Sequence, residues 1–159
     1  MIRKATPEDF DFIYELHMHP QVNRFLLYEI MSASEFKPIF NEFLQQDILY
    51  VFEEEGILKG MFKLAPQQHR TSHIAVLKGV AIHPSFSGKG CGQRMLDEVI
   101  SLGKEKGILR IELGVSTINT KAIHLYEKAG FKKEGDLKKY IFLKKENLFL
   151  DDISMAYLY

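Results

Sequence analysis

The spacing of apolar positions divides the chain into short alternating elements. Residues 2–5 predict a strand. Thr6-Pro7-Glu8-Asp9 then supplies a hydroxyl cap, a first-turn proline and two acids, opening a helix that carries Phe10, Ile13, Tyr14 and Leu16. The segment from His19 and Pro20 to Leu26 breaks that helix. Phe36, Ile39, Phe40, Phe43 and Leu44 restore the helical period over residues 34–45. Strands over 48–54 and 57–64 flank a turn at Glu55-Gly56, a hairpin pattern. After a loop at 66–70, a long apolar strand over 72–83 is stopped by Pro84, which cannot donate to a sheet ladder.

Beyond Pro84 the pattern changes character. Ser87-Gly88-Lys89-Gly90-Cys91-Gly92 leads into a helix with Met95, Leu96, Val99, Ile100 and Gly103 on one face, closed by Gly107. Residues 109–115 alternate as a half-buried strand. Strand, glycine turn, helix and strand imply a right-handed crossover, so 72–83 and 109–115 should be parallel. A fourth helix over 119–129 ends at Gly130. Residues 131–143 and 148–157, hinged at Glu146-Asn147, predict an antiparallel pair. The expected fold is mixed α/β (α+β): a mostly antiparallel sheet of about seven strands, about four helices and one parallel strand-helix-strand crossover.

Composition narrows the function classes. The 159 residues contain no repeat or flexible linker, which suggests one domain over 1–159. Lys and Arg number 21 and Asp and Glu number 21, so the positive field needed to displace counterions from nucleic acid is missing. Cys91 has no intrachain disulfide partner, and no Cys/His grouping has zinc spacing, so no metal is expected. No signal-peptide core and no membrane-length apolar run is present, which gives the expectation of a cytoplasmic protein without a membrane partner.

The glycine turn carries the first chemistry. Successive backbone N–H groups at a helix start form an anion nest, and glycines at 88, 90 and 92 let a phosphate approach it closely. Lys89 adds a candidate cation. A Walker loop would need Ser or Thr after Lys89, where Gly90 stands. A dinucleotide fingerprint counted from Gly88 would need glycine at 93, where Gln93 stands.

The stretch Val80-Ala81-Ile82-His83-Pro84 followed by Ser87-Gly88-Lys89-Gly90-Cys91-Gly92 resembles the acetyl-CoA motif of the GCN5-related N-acetyltransferases (GNAT family). Gly90 and Gly92 match its two small positions, and Ser87 stands where the family usually carries Gln or Arg. A second block is similar to the family's downstream motif: Arg110-Ile111-Glu112-Leu113-Gly114-Val115, Asn119, Ala122, Ile123, then Leu125 to Phe131. The tail, with Glu134-Gly135-Asp136 and Asp151-Asp152-Ile153-Ser154-Met155-Ala156, resembles members that acetylate free amino acids and small amines, and His73 recurs in that subgroup.

The resemblance implies that backbone groups of Val80, Ala81 and Ile82 hold the pantetheine arm where the two parallel strands splay. It implies that Ser87, Gly88, Lys89, Gly90, Cys91, Gly92 and Gln93 take the pyrophosphate. It also implies a cofactor contact from the amide of Asn119, a role compatible with capping the fourth helix. Tyr126 is the candidate general acid and a contact to the cofactor's sulfur, because a phenol keeps its proton at neutral pH; its alternative role is core packing. Glu112, His73, Glu54 and His124 are candidates for the base, with Glu112 preferred, and a water chain would also serve. His83 is expected to be structural. Cys91, at a helix start, is either a nucleophile or a packing residue, and its motif position favours packing. The segment 20–31 is the candidate cover of the acceptor site. Three activities stay open: transfer to a small primary amine such as an amino acid, transfer to a protein N-terminus or lysine, and a non-catalytic acetyl-CoA sensor. Acetyl-CoA and a small amine are the implied partners, with room for a homodimer.

Overall fold

A computed structural model describes residues 1–159. Seven strands lie in the order β1-β2-β3-β4-β5-β7-β6. The chain forms two compact units, Met1–Ala65 with Lys78–Val99, and Pro66–Leu77 with Ile100–Tyr159.

The first unit begins with β1 (Ile2–Lys4) and a 3-10 turn at Pro7–Asp9, so α1 (Phe10–Met18) starts later than its cap sequence predicts. Asp9 explains the delay: its carboxylate accepts the Thr6 N–H at 2.8 Å and Arg3 at 2.8 and 2.9 Å. Burial pushes the Asp9 carboxyl up, but the Arg3 and Thr6 bonds outweigh it and hold the group below its ordinary range. The expected break at His19 is a restart. The residue before a proline avoids helical ψ, and His19 sits at ψ 128°. Pro20 then opens a four-residue helix, α2 (Pro20–Asn23).

Helix α3 (Ala33–Gln45) begins one residue before the expected start, because Ser32 and Glu35 form a capping box. Its Phe36, Phe40 and Phe43 pack with Ile13, Leu16, Leu49, Val51, Met61 and Ala81 into the core of this unit. β2 (Leu49–Glu54) and β3 (Ile57–Pro66) form the predicted hairpin, with Glu54 opposite Ile57. Glu55 and Gly56 both have positive φ, 55° and 73°, the sense of turn that matches strand twist. β3 runs two residues past its expected end, since a terminal proline forfeits no interior ladder bond.

β4 (Ile74–Ile82) contributes to both units. It begins later than expected because His69–Thr71 forms a 3-10 turn. His83 N–H donates to Lys59 C=O at 2.8 Å beside one end, and Gln67 N–H to Ile74 C=O at 2.9 Å at the other, an antiparallel arrangement with β3.

In the second unit, β4 and β5 (Arg110–Ser116) are parallel, with Ile74 opposite Arg110 and Val76 opposite Glu112, as the crossover predicts. The intervening α4 (Cys91–Glu105) is followed by Gly107 at φ 72°. α5 (Thr120–Lys128) precedes β6 (Lys132–Leu143) and β7 (Leu148–Leu158). β7, rather than β6, lies beside β5. Paired residues share a face, so Ile111, Leu113, Val115, Ile153 and Met155 form a buried apolar face. Glu112, Gly114, Ser116, Asp152, Ser154 and Ala156 share the other face. No helix is long and apolar enough to cross a membrane.

Candidate active site

The glycine turn lies in the first unit. His83 holds its entry: its Nδ1 accepts the Ser85 N–H at 3.2 Å and its Nε2 pairs with Glu15 at 2.9 Å. Gly88 and Gly90 both adopt φ +76°, where a side chain would be strained. The Arg94 N–H donates to Gly90 C=O at 3.1 Å, so Gly90 occupies the cap position of α4 and brings no side chain to satisfy the first-turn N–H groups. Residues 87–90 are exposed. The 15-residue α4 thus starts behind an exposed turn whose cap residue is a glycine. Lys89 does not project freely; its Nζ donates to Ser85 C=O at 3.1 Å. Gln93 donates to Asp97 at 2.9 Å, and its Oε1 is buried without a partner.

A charged clamp braces this turn from beneath. Arg94 bonds Glu54 at 2.6 and 2.9 Å, while its third nitrogen donates to Lys89 C=O at 3.1 Å. Lys59 adds a contact to Glu54 at 2.8 Å. Arg94 first and Lys59 second pull the Glu54 carboxyl down to about 2. A carboxylate so stabilised is a poor proton acceptor, which corrects its place among the candidate bases. Cys91 is 2% exposed, with Sγ 3.2 Å from Arg94 Nη2 and 3.9 Å from Glu54. It packs into the clamp, as the packing alternative expected.

Ala81 is buried in the core, and Val80 and Ile82 are half-buried. Just before them, Gly79 takes φ +58°. A Cβ there would lie 3.0 Å from Lys63 Cε, so the glycine leaves room for a lysine side chain. Lys63 is a residue that the pattern reading passed over. It is 6% exposed, with Nζ 4.0 Å from the Phe43 ring centre and 5.2 Å from that of Tyr28. Burial first, and Lys78 second, lower its pKa to about 8. The signal was a lysine two residues past inward-facing Met61 on an alternating strand. Near it, His17 bonds Ile13 C=O through Nδ1 at 2.8 Å, and its Nε2 is buried without a partner. Burial, above all, drives the imidazole down to about 4.

In the second unit, Tyr126 on α5 is 6% exposed, its ring edge-on to Phe131 at 5.7 Å. Burial raises its pKa further above the ordinary phenol value, so it holds its proton throughout the neutral range. Asn119 caps α5 through Oδ1, which accepts the Ala122 N–H at 3.3 Å. Glu112 is engaged at both oxygens, by Gln67 at 3.0 Å and Arg110 at 3.0 Å, and Arg110 also forks onto Glu134. His73 and His124 are exposed, and the structural contribution of His73 is a carbonyl that accepts the Leu109 and Arg110 N–H groups.

The sequence pattern did not single out Asp152 and Ser116. They face each other across β7 and β5, and both are buried. Asp152 Oδ1 and Ser116 Oγ have no hydrogen-bond partner. Burial first, and Asp151 second, raise the Asp152 carboxyl.

A helix start behind two left-handed glycines has the geometry that suits an anion. Residues 10–131 match the model of the acetyltransferase (GNAT) family. The chain belongs to that family. Its similarity to the spermidine N(1)-acetyltransferase of Escherichia coli (strain K12) is 27% identity over 146 residues, covering 89% of this chain and 77% of that protein. The L-amino acid N-acetyltransferase AaaT of the same organism is 28% identical, covering 98% and 96%. Among solved structures, the spermidine N-acetyltransferase from Vibrio cholerae in complex with CoA and spermine shares the fold, with a TM-score of 0.86 at 23% identity over 99% of this chain and 94% of that one.

Proposed function

We propose that the chain is an acetyl-CoA-dependent N-acetyltransferase that acts on the primary amine of a small molecule, an amino acid or a polyamine-like amine, by direct attack in a ternary complex. The observation that carries this is the start of α4, where Gly88 and Gly90 adopt left-handed φ in an exposed turn and the cap position is a glycine. Those groups suit a pyrophosphate, and the backbone of Val80, Ala81 and Ile82 suits an extended pantetheine arm. Acetyl-CoA supplies an acyl group activated as a thioester. Family membership supports the reaction class, and the amino acid and spermidine acetyltransferases among the relatives support a small amine.

Tyr126 is assigned the acid's role: its buried phenol keeps a proton at Oη for the sulfur that must leave as a thiol. Asn119 keeps its Nδ2 group for a cofactor contact while Oδ1 caps the helix. The burial of Cys91 in the Arg94–Glu54 clamp supports direct attack over an acyl-cysteine route.

The test is acetyl-CoA consumption against amino acids, polyamines and peptide N-termini. Turnover of a free amino acid or polyamine, with peptides silent, is the expected result. Tight acetyl-CoA binding without any turnover would favour the sensor alternative instead. Tyr126→Phe should lower kcat about 10²- to 10⁴-fold while acetyl-CoA affinity stays within about twofold. An unchanged kcat at every pH would remove Tyr126 from the acid's role.

A further inference from the structure

Within the second unit, the polar face of β5 and β7 is arranged around Asp152. Asp152 is 7% exposed and Ser116 opposite is 9% exposed. Oδ1 and Oγ, the two buried atoms, lack partners. The adjacent acid is handled differently: Asp151 accepts the Lys139 N–H at 2.7 Å and Lys138 Nζ at 3.3 Å. Asp152 has no such cation. An unpaired buried carboxylate costs several kcal/mol, so folding alone gives no reason for an acid here.

Access is provided by Gly114. It is exposed, lies on the same face one strand step from Ser116, and a Cβ there would stand 3.4 Å from Asp152 Oδ2. A bare glycine therefore gives solvent a path to the second carboxylate oxygen. Glu112, one step further along β5, is already occupied by Arg110 and Gln67. The face thus offers one uncompensated negative group, one unused hydroxyl opposite it and an approach to the carboxylate. A small ammonium ion satisfies all three.

We propose that Asp152 and Ser116 form the subsite for the acceptor's amine, with Asp152 as the base. This rests on the acetyltransferase assignment. The ammonium donates to Asp152 and to Ser116 Oγ. One proton then passes from nitrogen to carboxylate, leaving a neutral amine and a neutral Asp152, and reaches solvent when the product leaves. A desolvated carboxylate takes that proton more readily than an exposed one.

Asp152→Asn keeps the shape and removes the charge. Using the amine that the wild-type protein turns over fastest among spermidine, ethanolamine and the amino acids, kcat/KM should fall about 10²- to 10³-fold. Acetyl-CoA affinity should stay within about twofold, and the thermal midpoint should hold or rise, because an unpaired buried charge is gone. Ser116→Ala should raise KM about 3- to 10-fold with a smaller effect on kcat. A wild-type protein silent on every amine overturns the acetyltransferase assignment, and this subsite with it. Wild-type turnover with kcat/KM unchanged in Asp152→Asn overturns the subsite alone. So does a variant that loses thermal stability and acetyl-CoA binding together, the mark of a structural acid.

Discussion

Lys63→Met replaces a buried ammonium with a side chain of similar length and no charge. In the folded protein the lysine's pKa stands at about 8, against an ordinary 10.5. That difference makes the charged form about 3 kcal/mol less favourable inside than in the unfolded chain. The Phe43 ring at 4.0 Å and the Tyr28 ring at 5.2 Å return about 1–2 kcal/mol through cation–π attraction. Methionine keeps sulfur–aromatic contact with the same rings. The net expectation at pH 7 is a gain of about 1–2 kcal/mol, or roughly 2–8 °C in the thermal midpoint for a chain of this size. The pH dependence carries its own sign. Below about 8 both states hold the proton and the cost is fully present. Between about 8 and 10.5 the folded state binds fewer protons, so wild-type stability should gain from Lys63 as pH rises through that window. The methionine variant should lack that gain. Urea unfolding at pH 7 and pH 10 checks both parts. A variant less stable at pH 7 that keeps the wild-type pH response would refute the account of Lys63 as an unrelieved cation.

His17 gives a response of the same sign in a more acid window: its folded pKa near 4 lies below the ordinary 6.5, so stability should be lost as pH falls through that window, by about 3 kcal/mol at the acid end. His17→Phe should flatten the loss, and superimposable acid-unfolding curves would exclude His17 as its source. Cys91→Ala should retain turnover within about threefold and cost about 1 kcal/mol of stability for the lost packing. An inactive Cys91→Ala protein that still binds acetyl-CoA would restore the nucleophile role.

The period of the apolar residues was enough to read the hairpin at Glu55-Gly56, the glycine turn at 88–92 and the parallel crossover, because each is a local pattern with one geometric solution. The capping box of Ser32 and Glu35 was equally present in the letters, and the structure shows that this pair outweighed Ser34 as the start of α3. What lay beyond reading was pairing. Glu54 looked like a free acid until Arg94 was brought to it from α4, and Glu112 until Gln67, 45 residues away in sequence, joined its strand neighbour Arg110 on it. Asp151 and Asp152 are adjacent in sequence, yet one accepts bonds from Lys138 and Lys139 and the other faces Ser116. Strand register decides that difference, and register depends on partners far along the chain.

The placement of β7 between β5 and β6 sets an order on how the second unit can be born. During synthesis, β5 emerges more than thirty residues before the strand that pairs with it residue for residue from Arg110–Leu158 to Ser116–Asp152. Until residues 148–158 leave the ribosome, β5 presents an unpaired edge, and β6 has no neighbour on which to form its ladder. Completion of this half therefore waits on a long-range pairing, the slow kind of folding event. A nascent chain arrested before β7 would be exposed to aggregation through that edge.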